Sequence, residues 1–138
     1  MPESSKYVKV AAHALIQKDN KFLITKRPSH DDYMPEFWDT PGGTIKFGEK
    51  IIDALIREVK EETDLKINIG NVIFCHDHVS NSERHQFELV YLCTYIGGEI
   101  KLDPQEHSEY KWVSLKEMKE FKKIAFLEEL YKFLKTKK

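Results

Sequence analysis

Three observations predict an α/β fold with helices on both faces of a sheet. Apolar and polar residues alternate through several strand-length runs. Two segments carry apolar stripes at helical period. Strands and helices also interleave along the chain at the spacing of a layered architecture. The chain has 138 residues, 41% hydrophobic and 33% charged. That suffices for a single domain, residues 1–138, to bury about two-thirds of its unfolded surface.

Tyr7 to Gln17 and Lys21 to Lys26 are β-rich runs joined by the polar Lys18-Asp19-Asn20, which predicts a hairpin. From Arg27 through Phe37, Pro28, Pro35 and the acidic pair Asp31-Asp32 break regular structure and predict an irregular segment able to cover a ligand. A helix is predicted from about Glu49 to Thr63, with Ile51, Ile52, Leu55, Ile56 and Val59 as its apolar stripe. Lys66 to Val79 and His85 to Ile96 read as strands around a polar loop at Ser80 to Arg84, the second closed by Gly97-Gly98. Tyr110 to Val113 is a short strand, and Ser114 caps Leu115 to Glu120 with Glu117 in the capping-box position. Ile124, Leu127, Leu130, Tyr131 and Leu134 form the stripe of a terminal helix that packs on the sheet. Its Lys132, Lys135, Lys137 and Lys138 complement the helix dipole, which accounts for them without a membrane or partner patch.

The formal net charge of −1 gives no global attraction to long nucleic acid or to anionic lipid, so a polyanionic ligand has to be held locally. Cys75 and Cys93 lack C-x-x-C spacing, no secretory leader precedes them, and no apolar run reaches the length of a membrane span. A reducing cytoplasm is the expected location, with each cysteine a small buried hydrophobe. Oligomeric state is left open by these observations, a homodimer included.

The chemistry is concentrated between Gly43 and Leu65, GTIKFGEKIIDALIREVKEETDL. Glu58, Glu61 and Glu62 fall at i, i+3, i+4 and stack on one helical face. Like charges so placed repel by a few tenths of a kcal/mol per pair, and a counter-cation relieves them. Oxygen ligands with neither Cys nor His suit a hard divalent ion, Mg²⁺ above all, held by few carboxylates plus the phosphate oxygens of a substrate. On the helical wheel Glu62 lies inside the edge of the apolar stripe, where a carboxylate is expensive unless something positive or hydrogen-bonding meets it. The competing reading is a solvated helix face on which Arg57 pairs with Glu61 at i+4. Ahead of the helix, Asp39-Thr40-Pro41-Gly42-Gly43 supplies two adjacent glycines that let backbone approach a metal or phosphate closely.

Together these residues resemble the Nudix box, G-x5-E-x7-R-E-U-x-E-E-x-G-U with U a bulky aliphatic residue. Gly43, Glu49, Arg57, Glu58, Val59, Glu61, Glu62 and Leu65 match it. The last glycine of the motif is Asp64 here. That position resembles a left-handed helix terminus, where Asp is among the tolerated substitutes. The strand-like start, the Trp38-Asp39-Thr40-Pro41-Gly42-Gly43 lead-in and the Glu-rich loop before Trp112 extend the resemblance to MutT-type Nudix hydrolases over most of the chain.

That resemblance implies a mixed sheet in an α/β/α sandwich and hydrolysis of a pyrophosphate linkage in a nucleotide, with Mg²⁺ as cofactor and Mn²⁺ as the alternative. By motif position Glu58, Glu61 and Glu62 become the metal-binding and base carboxylates, the Gly42 carbonyl a further ligand, and Glu49 a structural tie between loop and helix. Arg57 orients a glutamate. Glu106 is the candidate late-loop ligand and Glu109 its rival. Lys26, Arg27, Trp38 and Gly43 are the substrate-binding candidates. The lysine and arginine would meet phosphates, and Trp38, with Phe37, either stacks on a base or belongs to the core. His76 and His78 share a strand face but lack a third ligand, which makes them pocket or surface residues. The signposts of ADP-ribose, dinucleoside polyphosphate and coenzyme A enzymes are missing, the first two from the positions held by Ser80-Asn81-Ser82-Glu83. The expected substrate is a small-molecule nucleotide, a nucleoside triphosphate cleaved to monophosphate and pyrophosphate. The alternatives are another nucleoside-diphosphate-linked substrate, a binding module without turnover, and an acidic helix that docks a partner.

Overall fold

The computed structural model describes residues 5–137, so Lys138 and the first four residues lie outside the description. The long strand β1 (Tyr7–Lys18) turns at Asp19-Asn20 into β2 (Lys21–Lys26), as expected of a hairpin. Two very short strands follow, β3 (Trp38–Asp39) and β4 (Gly42–Thr44), then helix α1 (Ile51–Thr63). The chain continues through β5 (Lys66–Val79), β6 (Arg84–Gly97), β7 (Glu109–Val113), α2 (Leu115–Met118) and α3 (Ala125–Lys135). Strand order is β3-β2-β1-β6-β5, with β4 also paired to β1 and β7 to β2. The sheet is mixed because β1 and β6 run parallel while its other strand pairs are antiparallel.

Alternation along β1 divides the core. Ala12, Ala14 and Ile16 join Leu55, Val59 and Cys93 on the α1 face. Leu15 joins Val90, Phe126, Leu127 and Leu130 on the α3 face. This is the expected helix–sheet–helix layering, each helix burying one stripe. Among the described residues no helix is long and apolar enough to cross a membrane.

Two expectations need correction. The α1 stripe is narrower than predicted. Leu55 and Val59 are buried with Ala54, Glu62 and Thr63, whereas Ile52 and Ile56 are 41% and 50% exposed. The helix is rotated so that its glutamate edge turns inward toward β4, leaving those two isoleucines on the outside. Cys75 is exposed, unlike Cys93. It sits on β5, the strand at the edge of the sheet.

Candidate active site

Two glycines bring α1 to the sheet. Gly42 and Gly43 pair with His13 and Ala12 of β1, and a Cβ on Gly42 would run into the Ala12 carbonyl, while one on Gly43 would run into the carboxylate of Glu58. Only a bare backbone fits between strand and helix at this point.

On the helix side, Arg57 organises the acidic residues. Its Nε donates to Glu49 Oε2 at 2.9 Å and one terminal nitrogen to Glu49 Oε1 at 3.1 Å, a two-point clasp that also fixes the loop, because Glu49 Oε1 accepts from the Lys46 N–H at 3.1 Å. The other terminal nitrogen reaches Glu58 Oε2 at 3.1 Å and Glu61 Oε1 at 3.4 Å. The bonds to Arg57 hold the Glu49 carboxyl below the usual carboxylate range and raise the guanidinium. The Arg57–Glu61 pair of the competing reading is therefore present, while Glu62 turns inward.

Glu62 is 4% exposed. Its Oε1 accepts from the Gly42 N–H at 3.3 Å and lies 3.9 Å from His107 Nδ1, a buried nitrogen with no hydrogen-bond partner. Burial pushes the Glu62 carboxyl up to about 10, with the adjacent Glu58 next in effect and Asp39 adding to it. Burial likewise lowers the affinity of His107 for a proton. A carboxylate that resists ionisation beside two other acids lacks its counter-charge.

Gly42, Gly43, Glu58, Glu61, Glu62 and Glu106 line a single cavity of about 380 Å³, together with Asp103 and Arg57. Burial raises the Glu106 carboxyl, with Asp103 and Glu58 adding to it. Its rival Glu109 lies elsewhere, 3.8 Å from both Lys26 and Lys111. As they stand, no three carboxylate, imidazole or thiolate groups among the described residues converge on one point, and Arg57 is bonded to Glu58 and Glu61. The donors are nonetheless hard oxygens gathered in one pocket, with a buried carboxylate uncompensated, and this set fits a divalent cation.

The structure separates the substrate-binding candidates. Trp38 is 7% exposed and packs edge-on against Phe121, ring centroids 5.1 Å apart, so it belongs to the core and not to a stacking platform. Lys26 lines neither this cavity nor its neighbour and faces Glu36 and Glu109. Arg27 reaches the neighbouring cavity, but its guanidinium is bonded to Asp31, Asp39 and the Tyr33 carbonyl. Gly43 lies on the wall of both cavities.

The neighbouring cavity, about 390 Å³, shares Gly42, Gly43, Thr44 and Glu106 with the first. His78 lines it, as do His13 and Glu88, which sequence reasoning did not single out. Their signal was available. Each is a lone polar residue in an otherwise apolar strand run, at a position where alternation demands burial. His107 was passed over beside Glu106 for want of any periodicity in its loop.

The family model for the NUDIX domain matches residues 6–135 of the chain. The chain belongs to the Nudix family. It is 32% identical over 103 residues to the ADP-ribose pyrophosphatase of Methanocaldococcus jannaschii, the match covering 73% of this chain and 60% of that protein, so this chain spans less than two-thirds of that relative. It is 27% identical over 112 residues to the CTP pyrophosphohydrolase of Escherichia coli K12, covering 81% of this chain and 79% of the relative. The fold superposes on the crystal structure of a MutT protein from Methanosarcina mazei Go1 with a TM-score of 0.83 at 26% identity, covering 96% of this chain and 98% of the other. Within this Nudix hydrolase fold, the box supplies one wall of the carboxylate cavity and the loop carrying Asp103 and Glu106 another.

Proposed function

We propose that the chain acts as one Nudix domain, a Mg²⁺-dependent hydrolase that cleaves the pyrophosphate linkage of a small nucleotide, with a nucleoside triphosphate as substrate and monophosphate and pyrophosphate as products. The observation that carries this reading is Glu62, buried beside Glu58 without a counter-charge in a cavity walled by Gly42, Gly43 and Glu106. Glu61 and Glu62 are the principal metal-holding side chains in this proposal, joined by the Gly42 carbonyl and Glu106, with Glu58 as a further ligand or the base. A bound divalent ion supplies polarisation of phosphoryl oxygens, a more acidic attacking water and neutralisation of the departing charge.

The chain's own residues do the rest. Arg57, gripped by Glu49, holds Glu58 and Glu61 in place. Gly43, bare of a side chain, lets the Glu58 carboxylate pack directly against the strand. A cytoplasmic site of action accords with the free thiols.

An ADP-ribose substrate is the second reading, favoured by the named activity of the M. jannaschii relative. Incubating the purified protein with a panel of nucleoside triphosphates, ADP-ribose and nucleotide sugars, in Mg²⁺ or Mn²⁺, tests both. The expected result is metal-dependent release of monophosphate and pyrophosphate from a triphosphate, reduced at least about a hundredfold in Glu62→Gln. Undiminished turnover in that variant would put the reaction elsewhere.

A further inference from the structure

β1 and β6 form the centre of the sheet, where Ala12, Ala14, Leu15, Ile16 and Val90 are all within 1% of complete burial. In that setting His13 and Glu88, 7% and 8% exposed, meet through His13 Nε2 and Glu88 Oε1 at 2.9 Å. The second oxygen of Glu88 accepts from Gln86 Nε2 at 3.3 Å. The parallel register sets Ala11 opposite Glu88, so the residue across the strand pair is small and the carboxylate has room. A buried charged pair is a poor way to join two strands, since apolar side chains of similar volume do so without desolvating charge.

The pair lies where a ligand would reach it. His13, Gln86 and Glu88 line the cavity that continues from the carboxylates through Gly42, Gly43 and Thr44. At about 390 Å³ this space lies within the range of small-molecule sites.

Resting on the hydrolase reading above, we propose that Glu88, steadied by His13 and Gln86, is the specificity-determining residue of this second cavity. It takes a hydrogen bond from an amino or hydroxyl group on the half of the substrate that lies away from the carboxylates. An ionised carboxylate is acceptor only. Opposite an amino or hydroxyl group it receives a charge-assisted hydrogen bond, whereas opposite a keto oxygen two acceptors face each other with no proton between them. The cavity therefore selects cytosine over uracil and adenine over hypoxanthine, or, where a second sugar occupies it, hydroxyl-bearing groups over none.

Calorimetric binding of α,β-methylene diphosphates, which resist cleavage, reads this without turnover. The hydrolase reading can thus fail in the nucleotide panel while this proposal stands, and the reverse. The cytidine analogue should bind the wild-type protein at least about tenfold more tightly than the uridine analogue, and adenosine likewise over inosine. Glu88→Gln, whose amide also offers a donor, should shrink both ratios to about threefold or less. If the donor comes from a sugar, the base pairs bind alike, while the α,β-methylene analogue of uridine diphosphoglucose binds at least about tenfold more tightly than that of uridine diphosphate and Glu88→Gln loses that gain; this outcome supports the same role. Should Glu88→Gln fail to fold by circular dichroism, Glu88→Asp, which keeps the charge but withdraws it, takes its place with the same expected shrinkage. Equal binding in every comparison, or discrimination that survives both substitutions, overturns the proposal.

Discussion

Asp64 is where the chain departs from the Nudix box, and its geometry explains why the departure is tolerated. The backbone there is left-handed, φ 64° and ψ 18°, with the Asp64 N–H bonded to the Lys60 carbonyl at 3.0 Å. The Lys60 ammonium, 2.7 Å from the carboxylate, holds that carboxyl below its usual range. Asp64→Gly would relieve the steric strain of a side chain at positive φ and remove an exposed ion pair, two small effects of opposite sign. Melting temperature should move by no more than a few degrees, and kcat/KM should stay within about twofold of wild type. A tenfold fall in kcat/KM at unchanged stability would instead give this carboxylate a part in the site. The left-handed turn was legible in the sequence because the motif demands it. The identity of Glu62 as the inward-facing acid was legible too, because helical period alone sets it against the apolar stripe. The placement of Trp38 and Lys26 was not. Both flank the site in the chain, and only the tertiary path of the loop between residues 27 and 37 determines whether a neighbour in sequence points into a cavity or into the core.

Long periodic elements were readable, and short ones were not. β5 runs over the residues that alternation indicated, and β6 begins and ends one residue beyond them. β3 and β4 span two and three residues, too few for any period to appear, yet β4 is the element that carries the paired glycines to β1. The α2 start was fully specified by local chemistry. Ser114 accepts from the Glu117 N–H at 3.1 Å, and Glu117 Oε1 accepts from the Ser114 N–H at 2.8 Å. The bond from the Ser114 N–H, with the Ser114 side chain next in effect, holds the Glu117 carboxyl below its ordinary value of 4.5. A carboxyl with a lower pKa in the folded state binds fewer protons there than in the unfolded chain. Its stabilising effect is therefore complete above the unfolded value and is lost as pH falls through the folded one. Comparing thermal melts of wild type and Glu117→Gln from neutral pH down through the carboxylate range should show the wild-type advantage greatest near pH 7 (about neutral) and closing in acid. A gap that stays constant with pH would mean that the charge of Glu117 contributes nothing to the cap.

At the scale of the whole molecule, the fold concentrates acid where a core would exclude it. The net charge is only −1, yet α1, β4 and the loop before β7 bring Glu58, Glu61, Glu62, Asp103 and Glu106 to one cavity, and Arg57 is the guanidinium among the residues that line it. Glu62, buried against Glu58, is destabilising in that arrangement unless a cation joins it. The proposed site therefore sets stability against function, and the two can be separated. In EDTA, Glu62→Gln should be more stable than wild type by about 1–3 kcal/mol, because the amide removes one of two crowded acids while still accepting from the Gly42 N–H. Saturating Mg²⁺ should then close or reverse the gap. An ion that binds only the folded state stabilises it by about 2.7 kcal/mol at a hundred times its dissociation constant, and the variant, lacking one ligand charge, should gain much less. Melting temperatures of both proteins with and without Mg²⁺ test this directly. A variant that melts below wild type in EDTA and gains as much from Mg²⁺ would mean that Glu62 is a structural acid, and that any ion held by this cavity is held by the other carboxylates.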